Sequence, residues 1–268
     1  SDGPRQRSNR DLEKVSLCRE ILNKNINWEC KIFKKFEDKN LGCGKGVSSA
    51  ISWFFSNIEE GIIIEDDCLL SESFFEFAKN MLAKYRNDLS IAGITADYKL
   101  SSVNSSYYGF INYPLIWGWA TWKRAWDGYS LSFKNIESQK LYSCIPDMPD
   151  NQKLYWKNNF KKIYESDNPH TWDYQYSYLV FNRKQKFIHP HTNLVKNIGF
   201  NSDATHTKTE NEFAFLSLGK ITAPYIEKND EIYNNYLSYE IFVNNSYLIK
   251  IKNKLKYFFN QYKKFLGF

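Results

Sequence analysis

The feature that most constrains the fold is an apolar run that ends abruptly in three acids and precedes a helix-like pattern. Residues 61–64 are a glycine and three isoleucines, a composition typical of a short buried strand. Residues 65–67 are all acidic, and the apolar spacing over residues 74–85 predicts a helix that opens with a capping box of Ser73 and Glu76. We therefore expect three carboxylates at the carboxyl end of a buried strand, the edge where open α/β sheets bind ligands.

These three acids have two interpretations. Adjacent carboxylates raise one another's pKa unless a cation neutralises them. A hard divalent ion, Mn²⁺ or Mg²⁺, on a nucleotide diphosphate suits such an oxygen-rich motif. The alternative is a solvated acidic turn that complements the dipole of the following helix. The pattern predicts one or the other for Glu65, Asp66 and Asp67.

Strand-like and helix-like segments alternate along the chain, which favours an α/β fold with a mostly parallel central sheet and flanking helices. The 268 residues, 43% of them apolar, suffice for one large core or two small ones. The periodicity predicts helices over residues 9–22, 47–56, 74–85 and 151–164 and a helix capped by Thr171, and strands over residues 28–36, 61–64, 90–95 and 187–190.

Composition narrows the location and the partners. No apolar run reaches the roughly 18 residues of a membrane span. Residues 1–5 are polar, so we expect no signal peptide there. Five cysteines without paired spacing are typical of reduced thiols, so we expect a cytoplasmic protein. The net charge of +6 equals the six lysines of residues 246–268, which contain no acid. The rest of the chain therefore lacks the excess of positive charge that is typical of nucleic-acid binding.

The lysines of residues 246–268 alternate with apolar residues at helical spacing. A basic amphipathic helix of this kind can lie on an anionic bilayer, which would place the protein at the inner face of the cell membrane. The alternative is that its apolar side packs on the body of the same protein.

Two further stretches suggest ligand contacts. Residues 42–46 form a Gly-x-Gly-Lys-Gly turn, in which backbone N–H groups and Lys45 can cradle phosphate, although the spacing is not that of a Walker A motif. Residues 117–122 contain three tryptophans around Gly118. Aromatic faces stack on the apolar faces of sugar rings, so this cluster predicts a saccharide contact; the alternative is a tightly packed hairpin.

Two single residues are candidates for chemistry. Asp173 stands in the first turn of a predicted helix, either as a general base or as an acid that complements the helix dipole. His206 lies in the polar, glycine-bearing stretch of residues 197–207, which we expect to be a loop and a candidate lid. It is either a metal ligand or a loop histidine without a role.

The ordered set of motifs resembles a known family. The motifs are Ser-Asp-Gly-Pro-Arg at residues 1–5, Gly-Val-Ser-Ser-Ala-Ile-Ser-Trp-Phe-Phe at 46–55, Ile-Ile-Ile-Glu-Asp-Asp-Cys at 62–68, Trp-Gly-Trp-Ala-Thr-Trp at 117–122, Trp-Asp-Tyr-Gln at 172–175, and Asn-Ile-Gly-Phe followed by Asp-Ala-Thr-His-Thr within 197–207. In this order the chain resembles bacterial nucleotide-diphospho-sugar transferases of the GT-A fold that build surface polysaccharides such as lipopolysaccharide and capsule. More distantly, it is similar to the N-acetylglucosaminyltransferase I family.

The resemblance implies a role for each matching residue. Asp67 would coordinate the metal ion on the donor diphosphate, with Glu65 in the same motif, and Asp66 would contact the ribose or sugar. Asp2 and the 42–46 turn would flank the nucleotide, while Trp117, Gly118 and Trp119 would line the acceptor side. Asp173 would be the base of an inverting reaction, and His206 a further metal ligand. The donor would be a UDP-sugar and the acceptor a glycan or a lipid-linked sugar.

The resemblance also implies a domain organisation. A GT-A domain would span residues 1–225, with a nucleotide-sugar half over 1–96 and an acceptor half over 97–225, and residues 226–268 would form the basic tail. Family members begin with a strand and an arginine-bearing loop before the Ser-Asp-Gly-Pro-Arg motif. This chain starts at that motif, so we expect the nucleotide pocket to lack one edge.

Two other functions compete with this hypothesis. A catalytically inactive GT-A-like domain would bind a glycan or a partner enzyme, but retention of the three acids and Asp173 argues against it. A nucleotidylyltransferase would share the sheet architecture. The tryptophan cluster and the lack of a glycine-rich signature at the start of the chain argue against that reading.

Overall fold

The computed structural model describes residues 1–5, 9–100, 104–199 and 216–228, together with residues 233 and 237. The helices in this range are α1 (Asn9–Asn25), α2 (Gly42–Phe55), α3 (Glu72–Lys84), α4 (Lys123–Trp126), α5 (Asp150–Glu165) and α6 (Asp173–Asn182). The strands are β1 (Glu60–Ile63), β2 (Cys68–Leu70), β3 (Ile91–Thr95), β4 (Ser105–Ile111), β5 (Trp119–Trp122), β6 (Lys186–Pro190), β7 (Val195–Asn197) and β8 (Ile221–Glu227).

Six of the strands form one mixed sheet in the order β1-β5-β3-β6-β4-β8, and β2 pairs with β7 in a separate two-stranded sheet. The β3–β6 and β4–β8 pairs are parallel, whereas the β1–β5, β3–β5 and β4–β6 pairs are antiparallel. The predicted α/β class is confirmed. The expectation of a mostly parallel sheet is met only in part, because three strands run in each direction.

Helices cover both faces of the sheet. Neighbouring residues of one strand point to opposite faces, and accordingly Trp119 and Phe187 belong to one core while Ala120 and Ile188 belong to the other. The first core includes buried residues of α2, α5 and α6, and the second includes the buried face of α3. The chain thus forms a three-layered α/β body around a single sheet.

Most predicted elements are found close to their expected limits. The helices over 9–22 and 151–164, and the strands over 61–64, 90–95 and 187–190, correspond to α1, α5, β1, β3 and β6. The capping box was wrong, because α3 starts at Glu72 after Ser71 and makes no side-chain cap there. Thr171 is also one residue too early, since Trp172 occupies the N-cap of α6.

Residues 28–36 are not a strand. This segment has no regular secondary structure, and Trp28 is 64% exposed. Its neighbourhood makes only a short backbone contact with the start of the chain, in which the Ser1 amino group donates to the Lys35 carbonyl and the Glu37 N–H donates to the Ser1 carbonyl. Alternating apolar residues do not form a strand without a ladder partner along their length.

The alternative for the tryptophan cluster, a tightly packed hairpin, is confirmed for the packing, since Trp119 and Trp122 are 0% and 2% exposed, but is wrong for the hairpin. β4 pairs with β6 and β8, and β5 pairs with β1 and β3, so the two strands do not pair with each other. Strands of the two predicted halves alternate over β1-β5-β3-β6, and β4 and β8 of the second half complete the sheet, so the two halves share one sheet. The shared sheet also brings the start of β5 to the edge where β1 ends.

The body extends past the predicted boundary at residue 225. β8 continues to Glu227 and pairs with β4 up to that residue. Tyr233 and Leu237 are 0% and 1% exposed and belong to the first core. Residues 200–215, which include His206, and residues 246–268 lie outside the described residues. Among the helices of the described part, none is long and apolar enough to cross a membrane.

Candidate functional site

The acidic motif lies in a tight turn between β1 and β2. Its backbone is closed by the Cys68 N–H, which donates to the Glu65 carbonyl at 3.1 Å. Glu65 and Asp67 are half-buried, whereas Asp66 is exposed. Carboxylate oxygens of Glu65 and Asp67 and the Sγ of Cys68 all lie within 4.8 Å of one another. Two of the three predicted acids therefore converge, and the third faces solvent.

The turn brings negative charge into a poorly solvated place. Burial, followed by the nearby carboxylates of Asp67, Asp66 and Asp173, raises the pKa of Glu65 to about 7. Asp173 therefore acts on the acidic motif through space, although it lies in a different element of the chain. Burial raises the pKa of the Cys43 thiol to about 11, with the charges of Glu65 and Asp173 adding to the effect. The carboxylates of Glu65 and Asp173 thus both act electrostatically on Cys43.

A close contact between α2 and the start of α6 creates this neighbourhood. A Cβ on Gly44 would overlap the Pro169 carbonyl oxygen and would come within 3.1 Å of the Thr171 carbonyl oxygen. The absence of a side chain at Gly44 lets α2 approach the segment that leads into α6. The start of α6 is held further by Tyr129, whose hydroxyl donates to the Trp172 carbonyl at 3.1 Å. Asp173 then follows on the first turn of α6.

The segment after β7 covers Asp67. β7 pairs with β2, and the Ile198 N–H then donates to the Asp67 carbonyl at 2.7 Å. A Cβ on Gly199 would overlap the Asp67 carboxylate. Glycine at this position therefore allows the backbone to approach the acid closely. The predicted lid begins here, but His206 lies beyond the described residues.

The donor atoms fit a hard divalent ion. Carboxylate oxygens are the ligands that Mg²⁺ and Mn²⁺ prefer, and a cation would relieve the repulsion that raises the pKa of Glu65. In the absence of a bound ion Cys68 adds no charge to this group, because burial, followed by the charges of Asp67 and Glu65, raises the pKa of its thiol to about 12. Its Sγ instead lies 3.6 Å from the Asp67 carboxylate as a hydrogen-bond donor.

The glycine-rich turn is not a free phosphate loop. It forms the first turns of α2, and the Asp2 carboxylate already accepts from the Leu41 N–H at 2.8 Å and the Gly42 N–H at 3.1 Å. Asp2 thus satisfies backbone donors at the start of the helix, where we expected phosphate. Lys45 is exposed on α2. The prediction that the 42–46 turn cradles phosphate with its backbone is therefore corrected for Gly42, whose N–H, like that of the preceding Leu41, donates to Asp2.

The three predicted acceptor residues have different environments. Trp119 is fully buried, and its ring stacks on Trp172 at 6.0 Å, so it supports the start of α6 from within the core. Gly118 is buried with a φ of +62°, a conformation that favours glycine. Trp117 is half-buried and lies two residues before β5. The prediction of an acceptor contact is therefore wrong for Trp119 and remains a prediction for Trp117.

The sequence reading missed an ion pair beside Trp117. Lys99 Nζ lies 2.6 Å from the Asp97 carboxylate, and both side chains are almost completely buried. The same ammonium lies 3.5 Å from the centroid of the Trp117 ring. Burial lowers the pKa of Lys99, and the Asp97 carboxylate opposes this shift. An Asp-x-Lys pair directly after β3 was the only available signal, and its burial depends on tertiary packing.

Comparison with known proteins assigns no family to this chain. No protein-family model matches it, and no curated protein matches it either.

Proposed function

We propose that this protein is a GT-A-type glycosyltransferase, which moves a sugar from a nucleotide-diphosphate sugar to an acceptor hydroxyl. The proposed donor is a UDP-sugar, and the proposed acceptor is a glycan or a lipid-linked sugar of a bacterial surface polysaccharide. The reaction would need Mn²⁺ or Mg²⁺ and would invert the anomeric centre. The proposed substrate classes rest on the motif resemblance, and the proposed roles of the metal ion and the base rest on the residues of the site.

One observation carries this proposal. Glu65 and Asp67 converge at the end of β1, and Asp173, from a separate helix, is close enough to contribute to the raised pKa of Glu65. A solvated acidic turn would not require a fourth acid from another element, nor would it bury Glu65. Acids from separate elements that perturb one another in a confined place are characteristic of catalytic and metal-binding sites.

The proposed division of labour follows from position. Glu65 and Asp67 would hold the divalent ion, which supplies charge stabilisation for the departing diphosphate when it is bound. Asp173 would accept the proton of the acceptor hydroxyl while that oxygen forms a bond to the anomeric carbon. The bond from that carbon to the diphosphate oxygen breaks on the opposite face, and both electrons leave with the diphosphate. Trp117 would align the acceptor sugar.

A transfer assay tests this proposal. The full chain is incubated with a panel of UDP-, GDP- and dTDP-sugars and of glycan and lipid-linked acceptors, with Mn²⁺ or with EDTA. We expect a glycoside product and free nucleoside diphosphate only with metal, and NMR should show an anomeric configuration opposite to that of the donor. Transfer that is equal in EDTA, or a product that retains the configuration, would contradict the proposed mechanism.

One observation favours the inactive, glycan-binding alternative. Asp2 occupies backbone donors at the start of α2 that we expected to contact phosphate. If this reduces donor binding, the domain would still have the aromatic and polar surfaces that recognise sugars. Glycan binding without metal-dependent donor binding would select this second function.

A further inference from the structure

A groove opens beside β4 and β8 at some distance from the acids. Its cavity of about 580 Å³ is within the usual range for small-molecule sites. The side chains that matter for recognition are Tyr98, Ser105, Ser106, Tyr107, His191 and Thr222. We call it the β4–β8 groove.

The irregular pairing of β8 opens this groove. Ser105 pairs with Ile221 and Tyr107 pairs with Ile226, so one residue of β4 stands opposite four of β8. The intervening residues of β8 cannot form a regular ladder and leave space between the strands. Across this space the hydroxyls of Ser106 and Thr222 are 3.2 Å apart. Polar groups from both strands therefore meet at the wall of the groove.

The lining has the chemistry of a saccharide site. Tyr107 is 42% exposed and its ring lies 6.3 Å from that of His191, and the hydroxyl groups of Ser105, Ser106 and Thr222 line the same groove. The six named side chains carry no permanent charge, and one cation lies beside them: the Lys228 Nζ is 5.1 Å from the centroid of the Tyr107 ring. An aromatic face beside neutral donors and acceptors suits a ring with apolar C–H faces and hydroxyl edges. A phosphate or another strong anion would favour a basic lining.

The groove lies at the same edge of the sheet as the acids. β1, β3 and β6 end at this edge, while β4, β5 and β8 begin there. From β1 to β4 there are four strand spacings, or about 19 Å. A single sugar ring does not cover this distance, whereas an oligosaccharide does.

Contacts along the edge connect the two places. Lys99 lies over Trp117, next to the acidic motif, and its neighbour Tyr98 stacks on His191 at 6.0 Å. His191 in turn faces Tyr107 across the groove. The adjacent residues Tyr98 and Lys99, both almost completely buried, therefore link Trp117 to the β4–β8 groove through their side-chain contacts.

We propose that the β4–β8 groove is a saccharide subsite that holds a distal, neutral part of an oligosaccharide acceptor while its reacting end lies near Asp173. The role as an acceptor subsite rests on the proposed function, but saccharide binding by the groove does not. The subsite would select acceptors by length, because only a chain of several units contacts both places.

The experiment measures binding without turnover. The full chain is applied to an array of neutral, amino-sugar and acidic oligosaccharides of one to eight units, and hits are measured by titration calorimetry and saturation-transfer NMR. We expect binding of neutral oligosaccharides longer than one unit, and Tyr107→Ala should weaken it about tenfold. Phe75→Ala is the control, because Phe75 is 46% exposed on α3 outside the groove; it should leave affinity within twofold.

Further variants keep the proposal falsifiable. If Tyr107→Ala lowers the melting temperature, the Ser106→Ala/Thr222→Ala double variant replaces it, and the same loss is expected. Three results would overturn the proposal. No saccharide of the array binds, the groove variants bind saccharide as well as the wild type does, or only nucleotides and phosphorylated sugars bind in the groove.

UDP-sugar binding with Mn²⁺ is measured on the same variants and should not change. If the wild type does not bind a donor but groove-dependent saccharide binding persists, the transferase proposal fails and the subsite stands.

Discussion

The carboxyl group of Glu65 lies among other acids in a half-buried turn, and this placement has a measurable consequence. Its pKa is raised to about 7, so the native state binds a proton more tightly than the unfolded chain between about pH 4.5 and pH 7. The free energy of unfolding should therefore fall as the pH rises through this window. At 1.36 kcal/mol per pH unit, the full loss is about 3 kcal/mol in the absence of metal.

We predict that Glu65→Gln stabilises the metal-free protein at pH 8. The neutral amide removes a buried charge and its repulsion with Asp67 and Asp173. In EDTA its melting temperature should be several degrees above that of the wild type at pH 8, and the advantage should vanish near pH 5. Glu59→Gln, which neutralises an exposed acid, should have little effect. An unchanged or lower melting temperature for Glu65→Gln at pH 8 would show that the turn is well solvated.

Asp173 presents a choice between a general base and a helix-dipole acid. We predict that Asp173→Asn lowers turnover by about 10² or more while donor affinity stays the same, because the amide cannot accept the proton. Asp150 provides a matched control, since it is the first-turn acid of α5. Asp150→Asn should lower the free energy of unfolding only slightly and should leave turnover unchanged. If the two variants have similar kinetics, Asp173 is not a general base and only complements the dipole of α6.

At the scale of elements, the site depends on how closely α2 approaches the start of α6. A methyl group at Gly44 would push against the Pro169 carbonyl and displace the turn that carries Asp173. We predict that Gly44→Ala lowers stability by about 1–3 kcal/mol and reduces turnover. The measurements are urea unfolding and the transfer assay.

Gly46 serves as the internal control for this prediction. It lies in the same helix, and a Cβ there would come no closer than 3.5 Å to Asp2, an ordinary contact. Gly46→Ala should be neutral or stabilising, because alanine favours the helix. If the two alanine variants lose equal stability, the close approach of α2 does not position the site.

The elements themselves were largely predictable from local patterns. Strands such as β1 and β3 have β-branched runs, and helices such as α1 and α5 have helical periodicity, and both signals operate over a few residues. The same logic failed for residues 28–36, where the alternation is present but no partner strand completes the ladder. It also misplaced the caps of α3 and α6, because the backbone there is set by tertiary contacts.

At the scale of the whole molecule, strand order could not be predicted, because alternating elements are compatible with many topologies. Three antiparallel pairs, including both pairs of β5, make the sheet mixed, whereas the sequence predicted a mostly parallel one. This topology determines where the predicted acceptor tryptophans lie. Because β5 is an internal strand, Trp119 lies in the core, whereas Trp117 precedes the strand at the end of the sheet.

The part of the candidate site that lies within one sequence motif was predictable. The parts that the fold brings together from distant segments were not. The turn after β1 was expected to hold the acids, and Glu65 and Asp67 do converge there. Their proximity to Asp173, the buried Asp97–Lys99 pair and the β4–β8 groove each join residues that are distant in sequence or depend on burial. Asp2 was expected beside a nucleotide, but its carboxylate accepts backbone hydrogen bonds.

The central claim is that Glu65 and Asp67 bind a divalent ion together with a nucleotide-sugar donor. The most direct measurement is calorimetric titration of the full chain with UDP-sugars, in Mn²⁺ and in EDTA, for the wild type, Asp67→Asn and the exposed-acid control Glu59→Gln. We predict donor binding by the wild type and the control only with Mn²⁺, and its loss in Asp67→Asn, because a neutral amide does not replace a charged ligand of a hard cation. Donor binding by Asp67→Asn with an unchanged dependence on Mn²⁺, or binding by the wild type in EDTA, would contradict the account.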